Sequence, residues 1–152
     1  MSIFISCSFD PETKNIAESV KSIFEQNRID VCISGQAEAK SLPESIRDKI
    51  KNSEALLTLI AKKHSNWVQN EIGIAYDAGK PVYAIVQKGV KVEGILPHIA
   101  IYETYDPSKP QAIESPVKNI IGKILASRKD AIIEGLFFLG ILVLVYLCLR
   151  KK

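Results

Sequence analysis

The chain has 152 residues, which suits one domain of ordinary size. Its net charge of +3 includes a basic C-terminal tail, so the rest of the chain is nearly balanced, which argues against broad nucleic-acid binding. The three cysteines, Cys7, Cys32 and Cys148, form no C-x-x-C pair. We therefore expect reduced thiols, and neither a zinc ribbon nor a thioredoxin-like site is indicated.

Short apolar runs alternate with helical patterns as far as Ser127. In chain order, the first predicted elements are a strand over Ile3–Ser8, a helix from Pro11 to about Gln26, a strand over Ile29–Ser34, a helix from Leu42 to near Asn52, and a strand over Ala55–Ile60. A helix that carries Trp67 and stops near Gly79 follows, then strands over Pro81–Gln87 and Ile99–Glu103, and a helix from Pro110 towards Ser127. Strands that alternate with helices predict an α/β fold with a parallel sheet.

Local signals support these boundaries. Asp10 is a good N-cap and Pro11 suits the first helical turn. Ser41-Leu42-Pro43-Glu44 is a capping box at the start of a helix, after the polar loop Gly35–Lys40. The run Ala55–Ile60 is continuously apolar, as expected for the centre of a parallel sheet.

The C-terminal segment differs in composition from the rest of the chain. Ala131–Leu149 reads AIIEGLFFLGILVLVYLCL, with Glu134 as its only charge. At about 1.5 Å per residue this run is long enough for a hydrocarbon core roughly 30 Å thick. A buried core helix and an interfacial amphipathic helix are the alternatives, but both would show a polar face.

We therefore expect a domain over residues 1–127 and a basic-flanked transmembrane tail anchor over residues 128–152. The N-terminus shows no signal peptide, since no basic region precedes a long apolar run there. The expected location is a single-pass membrane protein whose first domain faces the cytoplasm.

Trp67 and Glu71 form the most informative pair in the chain. If their segment is helical, they lie one turn apart on the same face, with Ala75 and Ala78 nearby. A carboxylate beside the only tryptophan is poorly placed for a solvated charge, and a half-buried carboxylate needs a partner or a role. The alternatives are a partly exposed helix acid for Glu71 and a core anchor for Trp67.

Several stretches together carry a resemblance to a known family. Phe4–Asp10 reads FISCSFD, Ser65–Glu71 reads SNWVQNE, and Lys80–Ile85 reads KPVYAI, with the loop Gly35–Leu42 between the first two. Their order and spacing resemble the Toll/interleukin-1 receptor (TIR) domains, particularly the bacterial and archaeal members. The resemblance covers roughly residues 2 to 125. It implies a flavodoxin-like fold, in which a five-stranded parallel sheet is flanked by helices and binds ligands beyond the carboxyl ends of its strands.

Catalytic TIR domains break the bond between nicotinamide and ribose in NAD, and the resemblance carries their catalytic glutamate onto Glu71. Cleavage at an anomeric carbon passes through an oxocarbenium-like state, which a nearby carboxylate stabilises or attacks. Nicotinamide leaves as a neutral ring, so one carboxylate suffices and no general acid is needed. We expect NAD as the substrate and no further cofactor or metal.

The resemblance also implies a binding cleft around Glu71. In that cleft, Trp67 would wall the pocket and Phe9 would stack on a ring of the ligand, although both also suit plain packing. Hydroxyls after the first strand would hold ribose or phosphates. The expected binding residues are Ser6, Ser8, Phe9, Asp10, Ser41 and Trp67. His64 is interpreted as a loop residue.

The expected function is a membrane-anchored TIR NAD glycohydrolase or cyclase in prokaryotic anti-phage defence or signalling. The expected partners are NAD, other TIR domains through self-association and the membrane, with no nucleic acid. Two alternatives stay open: a non-enzymatic TIR–TIR scaffold, which would use the Gly35–Ser41 loop as its contact, and a nucleoside deoxyribosyltransferase-like enzyme, which also uses a glutamate on a similar fold.

Overall fold

The structure is a computed structural model that describes residues 1–8, 10–34, 42–62, 66–92, 98–109 and 112–150, and for residues 42, 43, 144, 145 and 147–150 the backbone alone. The chain divides into two compact units, Met1–Ile120 and Ile121–Lys152. Several expectations lie outside the described residues. These are the roles of Phe9, Ser41 and His64, the polar loop over Gly35–Lys40, and the start of the last helix at Pro110.

The first unit contains a five-stranded sheet in which every neighbouring pair is parallel. Its strands are β1 (Ser2–Ser6), β2 (Asp30–Ile33), β3 (Ala55–Ile60), β4 (Val82–Gln87) and β5 (Ile101–Tyr105). The helices are α1 (Pro11–Gln26), α2 (Leu42–Asn52), α3 (Asn66–Asp77) and α4 (Glu114–Arg150). The strand order is β2-β1-β3-β4-β5, which is the flavodoxin order, so the predicted α/β fold and parallel sheet are confirmed.

The strand order reverses direction at β1, and this reversal places helices on both faces of the sheet. The connection from β1 leads to β2 on one side, whereas the next connection returns past β1 to β3. Because crossovers between parallel strands are right-handed, α1 covers one face while α2 and α3 cover the other. The gap between β1 and β3 is thus the topological switch point, where such sheets bind ligands at their carboxyl edge.

An apolar core between the sheet and the helices α2 and α3 stabilises both helices and the strands beneath them. Its fully buried members include Phe4, Leu56 and Val82 from three strands and Ile50 and Ile72 from the two helices. Side chains alternate along a strand, so Ser6 lies on the same face of β1 as Phe4, two residues closer to the carboxyl edge. A polar side chain is thereby held at the end of an apolar row.

Two helix ends follow the expected local chemistry. Asp10 caps α1, because its Oδ1 accepts a hydrogen bond from the Thr13 amide at 3.0 Å, and Pro11 is the first helical residue. After α3, Gly79 adopts a φ of +66°, a left-handed conformation that favours glycine at a helix C-terminus. Both ends confirm the sequence-based interpretation.

Several boundaries differ from expectation, and β1, for example, runs from Ser2 to Ser6 where Ile3–Ser8 was predicted. The fifth strand was predicted over Ile99–Glu103, but β5 begins two residues later, because its ladder starts where Ile101 pairs with Tyr83 of β4. The last helix was predicted to end near Ser127, yet α4 continues without a break to Arg150. Neither glycine nor proline interrupts the charged residues around Lys129, so nothing local ends the helix there.

The prediction of a membrane anchor in the second unit needs correction. Within the described part of the chain, no helix combines the length and the apolar character that crossing a membrane requires. The predicted single-pass membrane location is therefore wrong, and the predicted span over residues 131–149 finds no support.

Candidate functional site

Glu71 lies on the inward face of α3. Its neighbours at helical spacing, Val68, Ile72 and Ala75, are buried, and Glu71 is itself only 1% exposed. The predicted same-face placement of Glu71 and Ala75 is therefore confirmed. A carboxylate so fully removed from water is costly unless hydrogen bonds replace the lost hydration.

Three side chains donate hydrogen bonds to this carboxylate. The Ser6 hydroxyl donates to Oε2, and the Ser34 hydroxyl donates to Oε1 at 2.5 Å. The Trp67 indole N–H donates to Oε1 at 2.8 Å and also lies 3.4 Å from the Ser34 hydroxyl oxygen. Both carboxylate oxygens thus have donors, and all of the donors are neutral.

The two serines reach Glu71 because their strands are neighbours. Ser6 is the last residue of β1, and Ser34 directly follows β2. The register pairs Ile5 with Ile33, and the Ser34 amide donates to the Ile5 carbonyl at 2.7 Å. Parallel pairing therefore brings two hydroxyls together at the carboxyl edge, beside the switch point.

Burial dominates the electrostatics of the site. It raises the pKa of Glu71 above its ordinary value, and the hydrogen bonds from Ser34, Ser6 and Trp67 offset part of this rise because they favour the ionised form. Glu71 makes no ion pair with a described residue. Within the described residues the site thus holds an acid without a fixed cation beside it, a setting in which a developing positive charge on a ligand is strongly stabilised.

Cys7 follows Ser6 and is also buried. Burial, with additional repulsion from the charges of Glu71 and Asp10, raises the pKa of its thiol to about 12. A thiol with so high a pKa carries almost no thiolate at neutral pH and is a poor nucleophile. The site's chemistry therefore rests on the carboxylate. The described residues contain no group of three or more His, Cys, Asp or Glu side chains suited to a metal ion.

Of the residues predicted to form the site, the structure brings Ser6, Trp67 and Glu71 into direct contact. Ser8 is buried two residues beyond Ser6. Asp10 serves at least as the N-cap of α1. Phe9 and Ser41 lie outside the described residues, so their predicted roles stay predictions.

Ser34 is a site residue that the sequence analysis missed. It was assigned to the end of a strand and given no role, although it donates to the same oxygen as Trp67. The available signal was its position: a serine that ends the strand beside β1, paired in register with the end of that strand.

The sequence has a recognisable family relationship. Residues 7–92, more than half of the chain, match the sequence profile of a family described as "Thoeris protein ThsB, TIR-like domain". The matched range includes β2, β3, α3 and β4, and therefore Ser34, Trp67 and Glu71. The search of curated proteins returned no match.

Three solved structures show the same fold. The CMP N-glycosidase BcmB from Clostridium botulinum aligns with a TM-score of 0.60 at 16% identity, covering 76% of this chain and 97% of that one. The sugar isomerase domain of an RpiR transcription factor from Sphaerobacter thermophilus aligns with a TM-score of 0.56 at 10% identity, covering 85% and 72%. The TIR domains of the activated Roq1 resistosome align with a TM-score of 0.50 at 14% identity, covering 57% of each chain.

Proposed function

The chain belongs to the TIR-like domain family of the Thoeris protein ThsB, and on that basis we propose that it cleaves the bond between nicotinamide and ribose in NAD. The observation that carries the proposal is the Glu71 carboxylate, which is buried at the carboxyl edge of the sheet and held by three neutral donors. This carboxylate would act on the substrate, and no second acid is required.

The reaction proceeds by loss of the leaving group and capture of the sugar. The bond between C1′ and the nicotinamide nitrogen breaks, and its electron pair leaves with the ring, which becomes neutral. The positive charge then lies on the ribose as an oxocarbenium ion, which the Glu71 carboxylate stabilises. A water oxygen bonds to C1′ and its proton passes to the carboxylate, giving ADP-ribose. Capture by a nitrogen of the adenine instead of water would give a cyclic product.

The burial of Glu71 sets a condition on this mechanism. At 1% exposure its oxygens do not meet solvent, so a ligand reaches them only if a covering group moves. Trp67 is only partly buried and its N–H lies against Oε1, so in the proposed mechanism its indole moves aside to admit the substrate. The serine hydroxyls remain to orient the carboxylate.

The experiment compares wild-type protein with Glu71→Gln, which keeps the shape of the side chain and its capacity to accept the indole hydrogen bond. Purified proteins are incubated with NAD, and nicotinamide, ADP-ribose and cyclic products are separated and identified by mass spectrometry. We expect the variant to lose on the order of 10³-fold in rate.

Glu54→Gln is the control, since Glu54 is an exposed acid at the opposite edge of the sheet and should leave the rate unchanged. Thermal melting of each variant shows whether it is folded. A folded Glu71→Gln protein that consumes NAD as fast as the wild type overturns the proposal.

A second candidate reaction is cleavage of the N-glycosidic bond in a nucleoside monophosphate. It is favoured by the fold shared with the Clostridium botulinum CMP N-glycosidase over nearly the whole of that enzyme. Of the two candidate reactions, it is also the more similar to that of the nucleoside deoxyribosyltransferase-like enzyme, the alternative left open by the sequence. The same assay with CMP in place of NAD separates the two, because release of cytosine without consumption of NAD favours this candidate.

Self-association and a signalling or defence role are further parts of the proposal. The family relationship and the fold shared with the TIR domains of the Roq1 resistosome support a chain that assembles with copies of itself. Sedimentation at rising protein concentration measures assembly, and the NAD assay on the same samples measures turnover. Assembly without turnover favours the non-enzymatic scaffold over the enzyme.

A further inference from the structure

A polar cavity separate from the Glu71 site lies at the carboxyl edge of the sheet. Its volume is about 630 Å³, and it is bounded by the ends of β3 and β4, the segment after β5 and the first turn of α1. Its polar lining includes Glu12, Lys62 and Gln87. None of them contacts Glu71, so this space, which we term the Gln87 cavity, is distinct from the carboxylate site.

Gln87 is the unusual residue of this cavity. It ends β4, is only 7% exposed, and uses its Oε1 to accept a hydrogen bond from the Lys62 amide at 3.2 Å. Its amide nitrogen donates to no oxygen of the residues that the structure describes. Because Gln87 lines the cavity and these two N–H donors bind no described residue, they are available to a ligand there.

The other polar groups complement these donors. Glu12 is exposed at the first turn of α1 and makes no ion pair within the described part of the chain, so its carboxylate is available to accept. The exposed Lys62 ammonium likewise has no ion-pair partner there. Carboxylates recognise ribose hydroxyls in nucleotide-binding α/β folds, and an ammonium suits a phosphate. Apolar walls from Ala61 and Pro107 complete a lining that fits a nucleoside.

Strand geometry sets the separation between the two sites. Ser6 pairs in register with Thr58, which pairs with Ala84, and Gln87 lies three residues farther along β4. Two strand spacings and three residues of rise place the backbones of Ser6 and Gln87 roughly 14 Å apart. Val82 shares the face of Phe4 and Ser6, so alternation puts the Gln87 side chain on the other face, and a ligand that reaches both would pass over the carboxyl edge of the sheet. A ligand with its reacting ring at Glu71 would thus need a second ring system to reach the Gln87 cavity.

We infer that the Gln87 cavity is the subsite for the second nucleoside of a dinucleotide substrate whose scissile bond lies at Glu71. The inference rests on the proposed function and adds a substrate class to it. Gln87 would donate to the base or ribose of the remote nucleoside, Glu12 would accept from its hydroxyls, and Lys62 would lie against the pyrophosphate. A mononucleotide would leave this cavity empty.

The test compares two substrates that share the nicotinamide–ribose bond. NAD contains the second nucleoside, whereas nicotinamide mononucleotide lacks it. Gln87→Glu keeps an oxygen for the Lys62 amide but removes both N–H donors, so it changes the cavity with little change in shape. We expect its KM for NAD to rise about tenfold, the cost of one lost hydrogen bond, while kcat and both constants for the mononucleotide stay within about twofold.

Gln26→Glu is the matched control, because Gln26 is an exposed glutamine at the end of α1 remote from the cavity, and it should change neither substrate's constants. Equal rises in KM for NAD and the mononucleotide, or no change for either, would overturn the subsite.

A binding measurement separates this inference from the proposed function. Adenosine monophosphate is titrated calorimetrically into wild-type protein and into Gln87→Glu, which requires no turnover. We expect binding to the wild type and affinity at least about tenfold weaker in the variant. Equal affinities, or no binding to either protein, overturn the subsite even if NAD is cleaved. Conversely, weakened binding in the variant supports the cavity as a nucleoside site even if neither NAD nor the mononucleotide is hydrolysed, in which case the proposed function alone fails.

Discussion

The two ends of the parallel sheet satisfy their polar groups in different ways. At the amino end, the backbone completes the ladder, with the Asp30 amide donating to the Met1 carbonyl and the Glu54 amide donating to the Ser2 carbonyl, each at 2.9 Å. At the carboxyl end, polar side chains are buried instead. Among the described residues, the buried polar side chains at this end or in the adjoining first turn of α1 are Ser6, Ser8, Thr13, Ser34, Thr58, Glu71 and Gln87, and Ser53 alone lies at the amino end.

The hydrogen bonds of these serines show what the difference means. Ser53 donates at 2.8 Å to the carbonyl of Lys49, one helical turn away, as a local helix-end bond. Ser6 and Ser34 donate to a side chain that is 65 and 37 residues away in sequence. Burying Glu71 and its donors costs free energy that an apolar residue would not, so the carboxyl end carries a polar cluster that the fold alone does not require.

The largest effect predicted for a residue other than Glu71 comes from comparing these serines directly. We expect Ser34→Ala or Ser6→Ala to lower kcat for NAD by roughly 10- to 100-fold, because a hydrogen bond to a charged group contributes about 1.5–3 kcal/mol. Both hydroxyls lower the pKa of Glu71, so the pH below which activity is lost should move upward in each variant. Steady-state rates measured as a function of pH provide the check.

Ser53→Ala is the matched buried serine at the amino end. It should lose stability in urea denaturation yet keep the pH–rate profile of the wild type. If all three serine variants lower kcat alike without moving the profile, the serines at the carboxyl end are structural and the comparison fails.

Trp67→Phe is expected to have a smaller effect. Phenylalanine keeps an aromatic ring at this position but lacks the N–H that donates to Glu71 Oε1 at 2.8 Å. Because the indole moves aside in the proposed complex, we expect the effect in the free enzyme. The acid limb of the pH dependence of kcat/KM should move upward, since this hydrogen bond lowers the pKa of Glu71 there. Tyr76→Phe tests an aromatic residue at the amino end, where Tyr76 stacks edge-on against His98, and should leave the profile unchanged. Equal profiles for the two variants would contradict a role for the indole N–H.

Much of the fold was predictable because its signals are local. The apolar run Ala55–Ile60 matches β3 residue for residue, and Pro11 and Gly79 mark helix ends by their backbone preferences. The start of β5 was less predictable, because its first ladder pair depends on where β4 lies beside it. The membrane location was wrong because it was inferred only from the length of the apolar run Ala131–Leu149 in the sequence.

The site was predictable only where its residues share one element. Trp67 and Glu71 lie one turn apart on α3, so helical spacing alone brought them together. Ser34 reaches Glu71 through the pairing of β2 with β1, which depends on the strand order of the whole sheet. No pattern within the sequence near Ser34 reports that pairing.

The stability of the protein should depend on pH through Glu71. Because burial raises its pKa above the ordinary value of 4.5, the folded protein retains a proton that the unfolded chain has released above that pH. The stability that this proton confers is complete below pH 4.5 and is lost as the pH rises through the folded pKa. Wild-type protein should therefore lose stability relative to Glu71→Gln as the pH rises from 4.5 through the raised folded pKa of Glu71, measured by urea denaturation.

Asp106→Asn gives the opposite sign and acts as the control. Hydrogen bonds from the hydroxyl and amide of Ser108 lower the pKa of this partly exposed acid. Its contribution is present above the ordinary value of 3.8 and is lost as the pH falls through the lower folded pKa, so wild type and variant should diverge only at acid pH. A wild-type protein whose stability parallels that of Glu71→Gln throughout would show that Glu71 folds with an ordinary pKa.

The smallest effects are expected from substitutions of two glycines, Gly73 in α3 and Gly79 just after it. They test whether the stability of this helix affects activity. Gly73 is exposed within the helix and a Cβ there would meet no atom within 4 Å, so Gly73→Ala should stabilise the protein by roughly 0.5–1 kcal/mol. Gly79 is equally open but has a φ of +66°, so Gly79→Ala should destabilise it by about 1 kcal/mol. Urea denaturation measures both changes. Neither glycine contacts Glu71, so we expect NAD turnover to change by less than about twofold in either folded variant. A larger loss would mean that activity depends on the stability of the whole α3 helix, and not only on the polar cluster around Glu71.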